Sequence, residues 1–162
     1  MGLPMRMFAF LPVALVVAAC AKEEDASPAN VDIQVDFPST AAAVAVDGVK
    51  FYVFDGAQSC NDLVRLRQTA QSLPKPIYES ASLTPCQLQE GRGSFTIDRN
   101  TAYAMFAVGT AAGKDVLVGC TVQSGFGETV AQPVPLTYID ATQRIPTTSC
   151  TKLSDKCGGR CQ

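Results

Sequence analysis

Seven cysteines carry what covalent chemistry this chain can do, and one of them stands apart from the rest. Cys20 follows directly on an apolar run that ends Leu15-Val16-Val17-Ala18-Ala19. The other six, Cys60, Cys86, Cys120, Cys150, Cys157 and Cys161, lie well downstream. An even number of thiols in an exported chain points to disulfides. A metal site is the competing reading, but no two of these cysteines stand in a CxxC spacing and the chain has no histidine. That absence also removes the commonest general base and every Ser-His or Cys-His catalytic pair. Tryptophan is absent too, so an aromatic platform for sugars would have to come from Tyr or Phe.

The N-terminus gives Cys20 its own fate. Residues 1–7 carry one cation, Arg6, and residues 8–19 are almost wholly apolar and end in small side chains, which is the layout of a secretory signal. The run is shorter than the roughly 20 apolar residues that a membrane-spanning helix needs. Val17-Ala18-Ala19-Cys20 resembles the lipobox of bacterial lipoproteins. That resemblance covers the first 20 residues. It implies that the cysteine is acylated on sulfur, that the bond before it is cut, and that the new amine is acylated. The alternative is an ordinary secretory signal with Cys20 in a disulfide. Ala21, where enteric lipoproteins held at the inner membrane tend to have Asp, favours the outer membrane.

Composition bounds the rest. Removal of residues 1–19 leaves a chain of single-domain size. The whole sequence has 13 basic and 15 acidic side chains, and loss of Arg6 makes it one charge more negative. This balance argues against nucleic acid and against electrostatic binding to a membrane. Residues 20–30 form the lipidated cysteine and a polar, acidic, flexible tether. Residues 31–149 form the folded domain, and residues 150–162 a cysteine-rich tail.

Along the domain, residues 31–37 (VDIQVDF) alternate strictly, with Val31, Ile33, Val35 and Phe37 on one face of a strand. Residues 43–46 read as a further strand, with Asp47-Gly48 as a hairpin turn into residues 49–54 (VKFYVF). The period changes over residues 59–71, where Leu63, Leu66, Ala70 and Leu73 share a helical face, Ser59 is the expected N-cap, and Pro74 and Pro76 stop the helix. Residues 77–92 read as irregular. Strands return at 94–97, 101–110 and 116–123. Gly119 sits in mid-strand, where a missing side chain permits close approach of another element. Residues 124–128 turn, and 129–139 form a last strand that Pro133 and Pro135 mark as an edge.

The tail, residues 150–162, is too polar to fold by burial and holds three of the six cysteines. Three is odd, so at least one of them pairs with Cys60, Cys86 or Cys120. Of the many pairings open to six thiols, the wiring favoured here is Cys60–Cys120, Cys86 to the tail, and one bridge within the tail.

These elements predict a mainly β protein: a two-sheet Greek-key sandwich with one short helix and a disulfide-rich tail. The strand at 49–54, the helix after it and the hairpin from Tyr103 to Cys120 resemble carboxypeptidase-regulatory or transthyretin-like modules. An immunoglobulin-like sandwich is the alternative. No nucleotide-binding, zinc-protease or nucleophile-elbow motif occurs, and no cofactor or metal is indicated. Asp32, Asp36, Asp98 and Asp140 are the carboxylates available to a hydrolase, but scattered strand and turn acids are ordinarily solvated. A calcium site at the loops carrying Asp98 and Asp115 has nothing in its spacing to select it. Lys50, Tyr52 and Phe54 form a candidate contact patch if their face is solvated, and core if the strand is covered on both sides; core is the favoured reading. The expectation is a non-enzymatic, lipid-anchored envelope protein that binds another envelope protein. A glycan- or peptidoglycan-binding module is the alternative, and a carboxylate hydrolase a third reading.

Overall fold

The structure is a computed structural model that describes residues 28–124 and 129–161. The chain is mainly β, with two sheets and a few short helices. In order the elements are β1 (Pro28–Asp36), α1 (Thr40–Ala45), β2 (Gly48–Asp55), α2 (Cys60–Gln68), β3 (Tyr78–Glu79) and α3 (Pro85–Gln89). They continue with β4 (Ser94–Asp98), β5 (Tyr103–Ala111), β6 (Lys114–Gln123), β7 (Thr129–Pro135), β8 (Thr137–Tyr138) and α4 (Leu153–Cys157).

The smaller sheet has the order β4-β1-β7, with β4 antiparallel and β7 parallel to β1. The larger sheet is antiparallel throughout, in the order β3-β2-β5-β6-β8. One core is shared between them. Val31 and Ile33 from β1, Phe95 and Ile97 from β4, and Val134 from β7 meet Val49, Phe51 and Val53 from β2 and Met105 and Ala107 from β5. The alternation in β1 does what its sequence implies, since Val31 and Ile33 are buried and Gln34 and Asp36 are exposed. The strand also starts at Pro28, inside the stretch expected to be tether, because Ala29 is fully buried opposite Ile97.

The larger sheet is covered on its second face as well. Phe54, Leu63, Ala104, Phe106, Val108 and Val118 form another core there, with α2 as the cover. Burial on both faces is why residues 103–109 are buried without a break rather than alternately.

Several local expectations change. Residues 40–45 are a helix, not a strand: Ser39 Oγ accepts from the Ala42 N–H at 3.1 Å, and the alanines that follow favour helix. Asp47-Gly48 is consequently no hairpin; Gly48 begins β2, and Asp47 Oδ2 accepts from the Ala112 N–H at 2.6 Å at the tip of the β5–β6 turn. α2 ends at Gln68, ahead of both prolines. Ala70 takes φ +52°, the Gln71 N–H reaches Leu66 O at 2.8 Å, and the Ala70 N–H reaches Arg67 O at 3.1 Å. This is a Schellman closure with alanine where glycine is usual. Ala70 is therefore an exposed cap and not part of the apolar face. Ser59 occupies the N-cap position of α2 without a side-chain hydrogen bond. Residues 77–92 are ordered by β3 and by α3, whose Thr84 and Gln87 form a capping box with Pro85 in the first turn. The expected last strand breaks at Leu136, where the chain passes from the smaller sheet to the larger one as β7 gives way to β8. β7 is an edge strand, in keeping with its prolines. The turn expected at 124–128 lies, apart from Ser124, outside the described residues, as do residues 1–27.

Three disulfides close the fold: Cys60–Cys120, Cys86–Cys157 and Cys150–Cys161. They match the wiring set out above. No helix among the described residues is long and apolar enough to cross a membrane.

Candidate functional site

One cluster of polar groups lies at the C-terminal end of α2. The helix lies along β6 and is fastened to it at both ends. Cys60, in its first position, is bonded to Cys120. Seven residues on, Arg67 Nη2 sits 2.6 Å from Asp115 Oδ2 near the start of β6. Leu63 is the buried side chain between the two fastenings. Both partners of the ion pair are mostly shielded, at 30% and 26% side-chain exposure, and Arg67 Nε is buried without a hydrogen-bond partner among the described residues. The pair is thus less screened than a surface bridge.

Beside it opens a cleft of about 390 Å³ lined by Arg67, Gln68, Ala70, Asp115, Asp140 and Gln143 with Ile139. The loop after β8 builds its far wall. Asp140 Oδ1 accepts from both the N–H and the hydroxyl of Thr142 at 2.8 Å, a turn that folds the loop over. Gln143 Nε2 donates to Asp115 O at 3.2 Å. The backbone bond to Asp140, then the hydroxyl of Thr142, hold the Asp140 carboxyl below its ordinary value of 3.8. It is ionised at neutral pH and serves as an acceptor rather than as a proton donor. Chemically the cleft offers fixed charges of both signs and two amides, an arrangement suited to hydrogen-bonded recognition.

A second polar cluster lies on the tail. α4 brings Lys156 against the end of α1, where its Nζ donates to Val44 O at 2.7 Å and Val46 O at 2.6 Å. These are carbonyls that a helix end leaves without intrahelical partners, and a lysine is a suitable donor to them. Burial pulls the Lys156 ammonium below its ordinary 10.5, against a smaller pull upward from Asp47. The cleft beside it, about 350 Å³, is lined by Asp47, Thr147, Thr148 and Lys156 among others.

The residues singled out in the sequence are scattered by the fold. Phe54 is 1% exposed beneath α2 and belongs to the core, which removes it from any contact patch. The cause is the two-sided cover of the larger sheet. Tyr52 is half-buried, packed near Phe54 and Phe106, and Lys50 pairs with Glu79 on β3 and lies over the Tyr52 ring. The hydrogen bond to Glu79 is the main reason that the Lys50 ammonium sits above its ordinary 10.5. Asp32 and Asp36 lie on β1 and Asp98 ends β4 in the smaller sheet, whereas Asp140 follows β8 in the larger one. Asp98 precedes Tyr103 by one turn, while Asp115 pairs with Thr110 at the other end of β5, so their loops share no site. Among the described residues no group of three or more Cys, Asp or Glu is placed to hold a metal ion.

Sequence reasoning missed Arg67, Gln143 and Lys156. Arg67 lies among the polar residues of α2, and nothing local ties it to Asp115, 48 residues away. Lys156 lies in a tail whose contacts are set by disulfides. No family model, curated protein or solved structure matches this chain.

Proposed function

We propose that this protein is a lipid-anchored, non-enzymatic component of a bacterial cell envelope, exported and held at the outer membrane through Cys20, whose folded domain binds another envelope protein. The observation that carries the reading is the placement of Cys20 directly after Val17-Ala18-Ala19 at the end of a short apolar run, with the remaining six cysteines all usable in three disulfides. In the same reading the two sheets form a sandwich of the Greek-key class, transthyretin-like or immunoglobulin-like. The shared core between the sheets supports this, as does the passage of the chain from one to the other at α1 and at Leu136. The cleft bounded by Arg67, Asp115, Asp140 and Gln143 is the contact surface this reading favours, because Arg67 is held by a helix fastened at both ends, and Asp140 and Gln143 by hydrogen bonds of the loop after β8.

The test is cross-linking in the native cell, comparing the intact chain with Cys20→Ser. The variant should leave the membrane fraction or accumulate as precursor, and an anchored protein partner should be lost with it. Unchanged membrane partitioning would sink the anchor. Capture of cell-wall material alone would replace the protein partner with a glycan.

A further inference from the structure

We infer that the anchored protein stands on the bilayer by the end at which β1 begins, and holds the β5–β6 hairpin end, with the tail and the Arg67 cleft, away from it. The inference rests on the lipidation of Cys20 proposed above. Residues 21–27 alone separate Cys20 from Pro28. The eight residue steps from Cys20 to Pro28 reach at most about 28 Å when fully extended, so Pro28 is confined to that distance from the membrane surface.

The register then decides what else is near. Pro28 pairs with Asp98 at the end of β4, and the chain turns through residues 99–102 into Tyr103, which pairs with Asp55 and Gln123. Among the described residues this end of the molecule consists of turns and strand ends. The side chains exposed there are mostly polar, Asp55, Gln58, Ser59, Asp98 and Asn100, with Val122 and Ile77 as apolar exceptions nearby, and burying the polar ones in lipid would be costly. It therefore rests at the headgroups and does not enter the acyl region.

The opposite end differs in kind. Eight residue steps along β5, from Tyr103 to Ala111, place it about 26 Å further on. There lie the hairpin tip at Ala112, α1 with Lys156 donating to its last carbonyls, and the ion pair of Arg67 with Asp115. The tail is fastened near this end by Cys86–Cys157 and closed on itself by Cys150–Cys161. The disulfides that hold the tail thus lie where the domain projects, while Cys60–Cys120 begins beside the turns that face the lipid.

The chain has no tryptophan, so a single introduced indole reports position by energy transfer to dansyl-labelled headgroups. The experiment uses the full-length, lipidated protein in phosphatidylcholine–phosphatidylglycerol vesicles, with Asn100→Trp at the near end or Lys114→Trp at the hairpin end; both residues are exposed. Given a separation of about 26 Å, transfer from Asn100→Trp should be at least about threefold more efficient than from Lys114→Trp. Brominated acyl chains should quench neither indole. Equal or reversed transfer in protein that floats with the vesicles would overturn the orientation while leaving the anchor intact. Quenching of Asn100→Trp by the brominated chains would overturn the placement at the headgroups. Failure of the protein to float at all would overturn the anchor, and the orientation with it.

Discussion

Replacing Gly119 with alanine should destabilise the fold, although the same change in an ordinary strand would stabilise it by about 0.5–1 kcal/mol. Gly119 lies in β6 where the chain crosses from β7 to β8. A methyl group built on it meets the carbonyl oxygen of Pro135 well inside van der Waals contact, with Leu136 Cδ2 at 2.9 Å and the Pro135 carbonyl carbon at 3.0 Å. Two of these are backbone atoms at a sheet-to-sheet crossing, and the Leu136 N–H is tied to Asp36 O at 2.9 Å. The crossing can make room only by giving up pairing. Overpacking of this kind costs about 1–3 kcal/mol. For a domain of this size about 2 kcal/mol corresponds to a fall in Tm of roughly 8 °C. Thermal unfolding followed by circular dichroism, disulfides intact, measures it. Gly113→Asn is the control. Gly113 has φ +74°, which Asn tolerates, and nothing lies within 4 Å of an added Cβ, so its Tm should move little. A Tm for Gly119→Ala equal to or above that of the parent would refute the close crossing, and with it the packing of β7 and β8 against β6.

The remaining predictions concern caps, bridges and charge. Ala70→Gly should stabilise the chain by about 1 kcal/mol, because alanine at φ +52° carries a left-handed penalty that glycine lacks; an unchanged urea midpoint would argue against the Schellman closure of α2. Loss of Cys60–Cys120, which spans 60 residues, should cost about 4 kcal/mol on loop entropy, against about 3 kcal/mol for Cys150–Cys161, which spans 11. Urea unfolding of the paired Cys→Ala variants ranks the two, and the reverse order would be the contrary result. Lys156→Met should cost about 1–2 kcal/mol by leaving Val44 O and Val46 O without their donor. The parent should also gain stability as pH rises toward 10.5: with the folded pKa lowered, the folded chain sheds its proton first, and the desolvation cost present at lower pH is relieved. Lys156→Met should lack that rise, and an identical alkaline limb in both proteins would count against burial of the ammonium.

What the sequence alone determined is whatever depends on short range. The strict alternation from Val31 to Val35, the run of apolar residues from Val49 to Phe54, the change of period into α2 and the prolines that confine β7 to an edge all act within a few residues, and the fold follows them. The cysteine count and the lack of histidine limit the covalent chemistry whatever the geometry. Errors arose where one local signal competed with another. A short apolar run at 43–46 is strand or helix according to whether Ser39 caps it, and the end of α2 was set by Ala70 in a left-handed turn before the prolines could act. Tertiary structure decided everything that joins distant segments. Whether Phe54 is surface or core depends on α2 folding back over the larger sheet. The partner of Arg67 depends on α2 lying along β6. Lys156 meets the end of α1 only because disulfides hold the tail there, and no local pattern encodes a contact made across 110 residues. The cleft beside Arg67 is of the same kind: each of its residues is unremarkable in its own segment, and only the fold brings them together.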